Sequence, residues 1–269
     1  MAINFENAPL IEVIVELRWG AGLPFPPPGF PGAPSQLFNV NLEASQHEEF
    51  FMNFGAECGS RGLQRAERTV PQGFPLIPGQ VVYRFRSSDR SQQNLLQVGP
   101  GVFTVNGLPP YKGWPSFEAF IARGIDALLA SRPVHEVSSN FSSVNIRFIN
   151  GFGEDYFQDT SRLSFLKSLG FIVQVPEELE TVAQEDDSTF FNMNYITNLK
   201  GGAKLQVTVA EGAKEGLPIQ VVELGTTHEG VPPTKRDLLE VINISHDLIE
   251  KIFLNMTAPI HAKMKPREV

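Results

Sequence analysis

Residues 137–151 read Val-Ser-Ser-Asn-Phe-Ser-Ser-Val-Asn-Ile-Arg-Phe-Ile-Asn-Gly. Alternation of apolar and polar side chains with β-branched residues predicts one long strand. Its core, Val144-Asn145-Ile146-Arg147-Phe148, echoes Val15-Glu16-Leu17-Arg18-Trp19. Both read apolar, polar, apolar, arginine, aromatic, and both run on into a glycine, Gly20 and Gly151. A second mark, Pro-Pro-x-Lys ahead of a helical pattern, occurs at Pro109–Lys112 and again at Pro232–Lys235. Arg18 and Arg147 lie 129 positions apart, and Pro109 and Pro232 lie 123 apart. Two separate marks at nearly one offset indicate an internal duplication. On this reading residues 1–135 form a first repeat and 136–269 a second, fused into one globular domain.

Outward from these marks, the first repeat opens on a strand over 10–19, with Val13, Val15, Leu17 and Trp19 on one face. Residues 23–34, LPFPPPGFPGAP, exclude helix and central strand because proline fixes φ and lacks an amide donor. Ser45 and Glu48 form a capping-box pattern that predicts a helix over 45–54. Strands follow at 81–87, 94–98 and 102–105, then a helix from Trp114-Pro115 with Phe117, Phe120, Ile121, Ile125 and Leu128 on one face. The second repeat adds a short helix over 161–169 and an extra strand over 171–175. Further strands are expected at 190–198, 203–210 and 219–225, with a final helix capped by Thr234. Each repeat reads strand, helix, three or more strands, helix. The fold class expected is α+β: a largely antiparallel, curved, saddle-like sheet with helices on one face.

The composition narrows the function. No run of apolar residues is long enough to span a bilayer, and the N-terminus lacks a signal-peptide pattern, so no membrane partner and a cytoplasmic location are expected. One cysteine, Cys58, excludes an internal disulfide framework and a cysteine-based zinc site, and is read as a half-buried thiol. A net charge of −8 argues against a nucleic-acid partner. The acidity concentrates in the second repeat, notably Glu177, Glu178, Glu180, Glu185, Asp186 and Asp187, which read as a solvated loop.

Motifs for chemistry are missing. The five histidines, His47, His135, His228, His246 and His261, have no metal-binding spacing, and His246 beside Asp247 reads as a helix-surface or partly buried residue. There is no nucleophile elbow, Walker motif or dinucleotide fingerprint. No catalytic residue, metal or cofactor is assigned. The arginines carry more information. Arg18 and Arg147 hold matching places on the copied strands, with Asn145 and Asn150 nearby, and a guanidinium fork suits carboxylates and phosphates. They are candidate ligand-binding residues, or else structural arginines that pair with a carboxylate such as Glu16 or Glu12. Arg84, Arg86 and Arg90, extended by Arg61, Arg65 and Arg68, make a basic stripe. Arg84 and Arg86, with the aromatic rings of Tyr111 and Trp114, are candidate partner contacts. Tyr111 and Trp114 serve equally to staple the following helix to the sheet.

Four stretches, Phe5–Val13, Tyr111–Phe117, Ile146–Asn150 and His246–Phe253, resemble a sporadically distributed bacterial family of about this chain's length. The resemblance implies no activity and supplies no catalytic residues. The family's patchy distribution is associated with mobile or defence-linked genes. The function expected is therefore non-enzymatic: a partner-binding or regulatory protein of a bacterial, defence-linked or toxin-antitoxin-like system. An unknown protein partner is expected, and self-association is compatible with it. The alternative is a small-molecule or anion-binding protein with its pocket between the repeats.

Overall fold

The computed structural model describes residues 3–20, 40–89, 91–157, 160–172, 174, 176, 178 and 191–268, with the backbone alone for 3, 4, 40–46, 267 and 268. The chain is α+β. Its main sheet is antiparallel and open, with nine strands in the order β3-β4-β5-β6-β2-β7-β10-β9-β8. These are β2 (Leu10–Arg18), β3 (Arg65–Arg68), β4 (Tyr83–Arg86), β5 (Leu95–Gly99), β6 (Val102–Gly107), β7 (Phe141–Phe152), β8 (Met193–Asn198), β9 (Lys204–Lys214) and β10 (Leu217–Val231). Two compact units share the chain: Ile14–Asn145 with Thr227–Ile242, and Met1–Val13 with Ile146–Thr226 and Asn243–Val269.

In the Ile14–Asn145 unit, helices α1 (Val40–Ser60) and α2 (Trp114–Ser131) supply the core. Phe54 of α1 meets Phe85 and Phe103 edge-on, with ring centroids 5.3 and 5.8 Å apart. Phe117, Phe120, Ile121, Ile125 and Leu128 of α2 are buried, as their helical spacing predicts. Gly124 allows the close approach: a β-carbon there would stand 2.8 Å from Leu96 and 3.0 Å from Phe103. Helix α1 is longer than its sequence signals suggest. It begins at Val40, so Ser45 lies inside it and is not its cap, and it continues past Gly55 and Gly59. Packing explains the overrun, because Gly55 faces the Phe85 ring and Phe50, Phe54 and Cys58 are all buried.

In the Ile146–Thr226 unit, Phe152, Phe165, Leu166, Val209 and Val222 form a separate core beneath the short helices α3 (Glu154–Phe157) and α4 (Arg162–Ser168). The Ser161 hydroxyl accepts from the Ser164 amide at 3.2 Å and caps α4. Strands β9 and β10 are joined through Glu215 and Gly216, both at positive φ (54° and 81°), as a two-residue hairpin of the primed type requires. The last long helix, α5 (Lys235–Thr257), starts where the Asp237 amide donates to the Thr234 hydroxyl at 3.1 Å. A 3₁₀ turn (Ala258–Ile260), α6 (His261–Met264) and β11 (Pro266–Glu268) follow, and β11 pairs antiparallel with β1 (Ile3–Phe5). The expected strand over 171–175 is not formed at Phe171 and Ile172, and residues 173 and 175 lie outside the described residues. So do the proline-rich 23–34 stretch, Arg90, Phe190, Glu177, Glu180, Glu185, Asp186 and Asp187.

Candidate functional site

Side chains alternate across a strand, so residues opposite the helix-packed set share the other face. In the Ile14–Asn145 unit that second face is polar. The strand register lines up Glu67, Arg84, Gln97 and Thr104 in one cross-strand row, and Arg65, Arg86, Leu95 and Asn106 in the next. The Arg84 Nε donates to Gln97 Oε1 at 2.9 Å. The Gln97 amide nitrogen donates onward to Thr104 Oγ1 at 3.1 Å and Asn106 Oδ1 at 2.9 Å. Thr104 and Asn106 are buried and bonded to each other at 2.8 Å. Arg84 is therefore anchored into a buried amide network.

Arg18 and Arg147 are also anchored. Arg18 grips Glu16 through two bonds, Nε to Oε1 at 2.7 Å and Nη2 to Oε2 at 3.1 Å, and Asn145 donates to the same carboxylate at 3.2 Å. A planar fork on a carboxylate is the strong form of this interaction. In the other unit, Arg147 Nη1 reaches Glu223 at 3.3 Å, and Asn150, buried, donates to the Val222 carbonyl at 3.3 Å. Both arginines have a carboxylate neighbour.

Tyr111 and Trp114 flank Phe117, each ring edge-on to it with centroids 5.9 and 6.0 Å apart. They pack the entrance of α2 against its first buried residue. Beside them a cavity of about 240 Å³ is lined by Lys112, Ser116, Arg123, Asn94, Gln92 and Gln93 among others. Arg123 also lies 5.3 Å from the centre of the Phe120 ring.

Arg65 and Arg86 differ from Arg18, Arg84 and Arg147. They are directly opposite one another on β3 and β4. Opposed residues of an antiparallel pair have Cβ atoms about 4.5–5.5 Å apart, and like charges so placed repel. Among the described residues neither guanidinium makes a hydrogen bond or ion pair. Together with Glu67, Ser87, Gln92 and Gln93 they line an open cleft of about 410 Å³. The loop that carries Gln92 and Gln93 is fastened by Asp89, whose carboxylate accepts from the Ser91 amide and hydroxyl, both at 2.9 Å. Those two bonds, the backbone one first, hold the Asp89 carboxyl below its ordinary range. The cleft thus gathers two guanidinium forks, two side-chain amides and a hydroxyl around one space, with the Glu67 carboxylate as the one acidic group of its lining. Such a donor set matches a phosphate or carboxylate group.

The rest of the basic stripe points elsewhere. Arg68 lies on the helix-packed face, donating to Glu48 at 3.0 Å and the Tyr83 hydroxyl at 2.9 Å, and Arg61 pairs with Glu57. A buried arginine that the sequence reading missed, Arg132, lies over Phe141 (4.5 Å) and Trp19 (5.5 Å) and donates to the Ser139 carbonyl at 3.1 Å. Burial lowers its pKa, with the Glu136 carboxylate acting in the opposite direction. The Trp19 indole itself donates to Glu136 at 2.6 Å, so this cluster is an aromatic and ionic brace within the core.

The Ile146–Thr226 unit holds a cavity of about 330 Å³ lined by Asn7, Glu154, Asp155, Tyr156, Lys214 and Glu215 among others. Its polar groups largely satisfy one another: Asn7 donates to Asp155 at 3.2 Å, and the Tyr156 hydroxyl donates to the Asn7 carbonyl at 2.6 Å. Burial, then the nearby Asp155, raises the Tyr156 pKa, so the phenol stays protonated. Among the described residues no cluster of histidine, cysteine, aspartate or glutamate could hold a metal, and no helix is long and apolar enough to cross a membrane. Comparison with family models, curated proteins and solved structures finds no match to this chain.

Proposed function

We propose that this protein is a non-catalytic binding protein and that its recognition site is the Arg65–Arg86 cleft, which takes a small oxyanion, a phosphate or carboxylate group. One observation carries the reading. In a chain of net charge −8, Arg18, Arg147, Arg162, Arg68 and Arg61 each have a carboxylate partner and Arg84 is held by Gln97, whereas two directly opposed arginines have no hydrogen-bond or ion-pair partner among the described residues. An anion between them removes the repulsion and gains charge-assisted hydrogen bonds. The lining is rich in N–H donors, which suits holding an anion more than moving a proton. Calorimetric titration with sulfate, phosphate and citrate at low ionic strength tests it. Binding is expected, weakened in Arg65→Gln and in Arg86→Gln; equal heats of dilution in all three proteins overturn it.

The proposal includes the duplication. Its support is the strand order: outward from β2 run β6, β5, β4 and β3, and outward from β7 run β10, β9 and β8. In each series the strand just before the long helix returns to lie beside the first. Among the described strands β3 has no counterpart in the other series.

A further inference from the structure

We infer, on the reading of the Arg65–Arg86 cleft as an anion site, that its ligand carries two anionic groups and that the cavity beside the start of α2 seats the second one. Gln92 and Gln93 line both spaces, so one loop forms the wall between them. Arg65 and Arg86 stand on one side of that wall, Lys112 and Arg123 on the other. Lys112 and Arg123 are exposed, and among the described residues neither makes a hydrogen bond or an ion pair. None of the described residues lining the second space is acidic. A recess with two cations and no carboxylate in its lining concentrates anions.

The second seat is built on fixed parts. The Arg123 guanidinium lies 5.3 Å from the centre of the Phe120 ring, and Phe120 is buried. A guanidinium stacked on a ring keeps its N–H edge for an oxyanion. Asn94 and Ser116 add neutral donors to the same space. Asp89 ties the wall to both seats: its carboxylate holds Ser91 and Gln92 and lies in the field of Lys112. A wall held before binding loses little freedom when a ligand arrives. One sulfate or phosphate fills one seat only. Two such groups on a short linker make the second contact within the same complex, so affinity rises once the linker is long enough to cross the wall. The ligand class is therefore a small bis-anion, with two phosphate or carboxylate groups close together.

Calorimetric titration of the full chain with phosphate, pyrophosphate and tripolyphosphate, and in parallel with acetate and dicarboxylates of rising length, tests the inference. In one of the two series the best spanning member is expected to bind wild type at least about tenfold more tightly than the single anion, the worth of a charged hydrogen bond. The series that shows the step identifies the group. Lys112→Gln and Arg123→Gln should each remove most of that gain and, the residues being exposed, melt like wild type. Arg236→Gln is the control: it loses the same charge at a side chain that is 88% exposed and lines neither space, and it should keep the gain. A wild type with no step in either series, a gain kept in both Lys112→Gln and Arg123→Gln, or an equal loss in Arg236→Gln would each overturn the inference. Binding of the single anion reads the first cleft by itself. If it persists without a step, only the second seat fails; if no anion binds, the Arg65–Arg86 site falls with it.

Discussion

Arg18 and Arg86 sit on the same polar face of one unit, yet their surroundings are opposite. Arg18 is gripped at both ends of its fork by Glu16, with Asn145 on the same carboxylate. Arg86 faces a second arginine and an open cleft. The first arrangement completes itself within the chain. The second leaves its donors unspent among the described residues, and on the proposed reading an external acceptor completes it. Identical side chains on one face of the sheet thus differ in whether a carboxylate grips them.

Four experiments break or sharpen that contrast. Both environments rest on one apolar floor, in which Phe54 touches Phe85 under β4 and Phe103 under β6. Phe54→Ala should cost roughly 3–5 kcal/mol of stability, the usual figure for deleting a buried phenylalanine. A loss below about 1 kcal/mol in a denaturant melt would show that α1 does not hold this part of the sheet from beneath.

The next effect is on binding. Arg86→Gln should weaken sulfate binding by about 1.5–3 kcal/mol, the worth of a charged hydrogen bond, while its melting temperature holds or rises as the repulsion with Arg65 disappears. Arg18→Met should do the reverse. It should leave anion binding intact and lower stability by about 1 kcal/mol, a value reduced by solvent screening because the pair is part-exposed. If both variants lose binding, or both lose stability, the division between scaffold and site is wrong.

The smallest effect is on pH. The folded Asp89 pKa lies below its unfolded value, so its contribution is present above the ordinary aspartate range and is lost as pH falls through the lowered folded value. Sulfate affinity, read with a probe whose charge is constant there, should stay level down to the ordinary carboxylate range and fall below it. Asp89→Asn should flatten that dependence, and an unchanged profile would detach the loop from the cleft.

Much of this was legible in the chain. Period-two alternation marked β2 and β7, and the 3.6-residue stripe marked α2, because each buries one face and leaves the other wet. Strand β3 left no such mark: Arg-Ala-Glu-Arg has one small apolar residue among three charges, and only pairing with β4 makes it a strand. The site was hidden for the same reason. The basic stripe was visible, but without the β3 register nothing separated Arg65 from Arg68, which lie on opposite faces of one short strand. A spacing of two between Arg84 and Arg86, set against the same spacing between Arg65 and Glu67, was the available signal. The glycines in α1 misled in a different way, since helix propensity yields to tertiary packing.

Cys58 is fully buried on α1 in place of the half-buried position its sequence suggested, and burial pushes its thiol up to about 12. At neutral pH such a group is thiolate to only about one part in a hundred thousand, and the thiolate is the form that reacts. As the chain's single sulfhydryl, it is a silent clock for the folded state. An alkylating reagent can reach it only when α1 lifts from the sheet, so the rate of labelling counts those openings one molecule at a time.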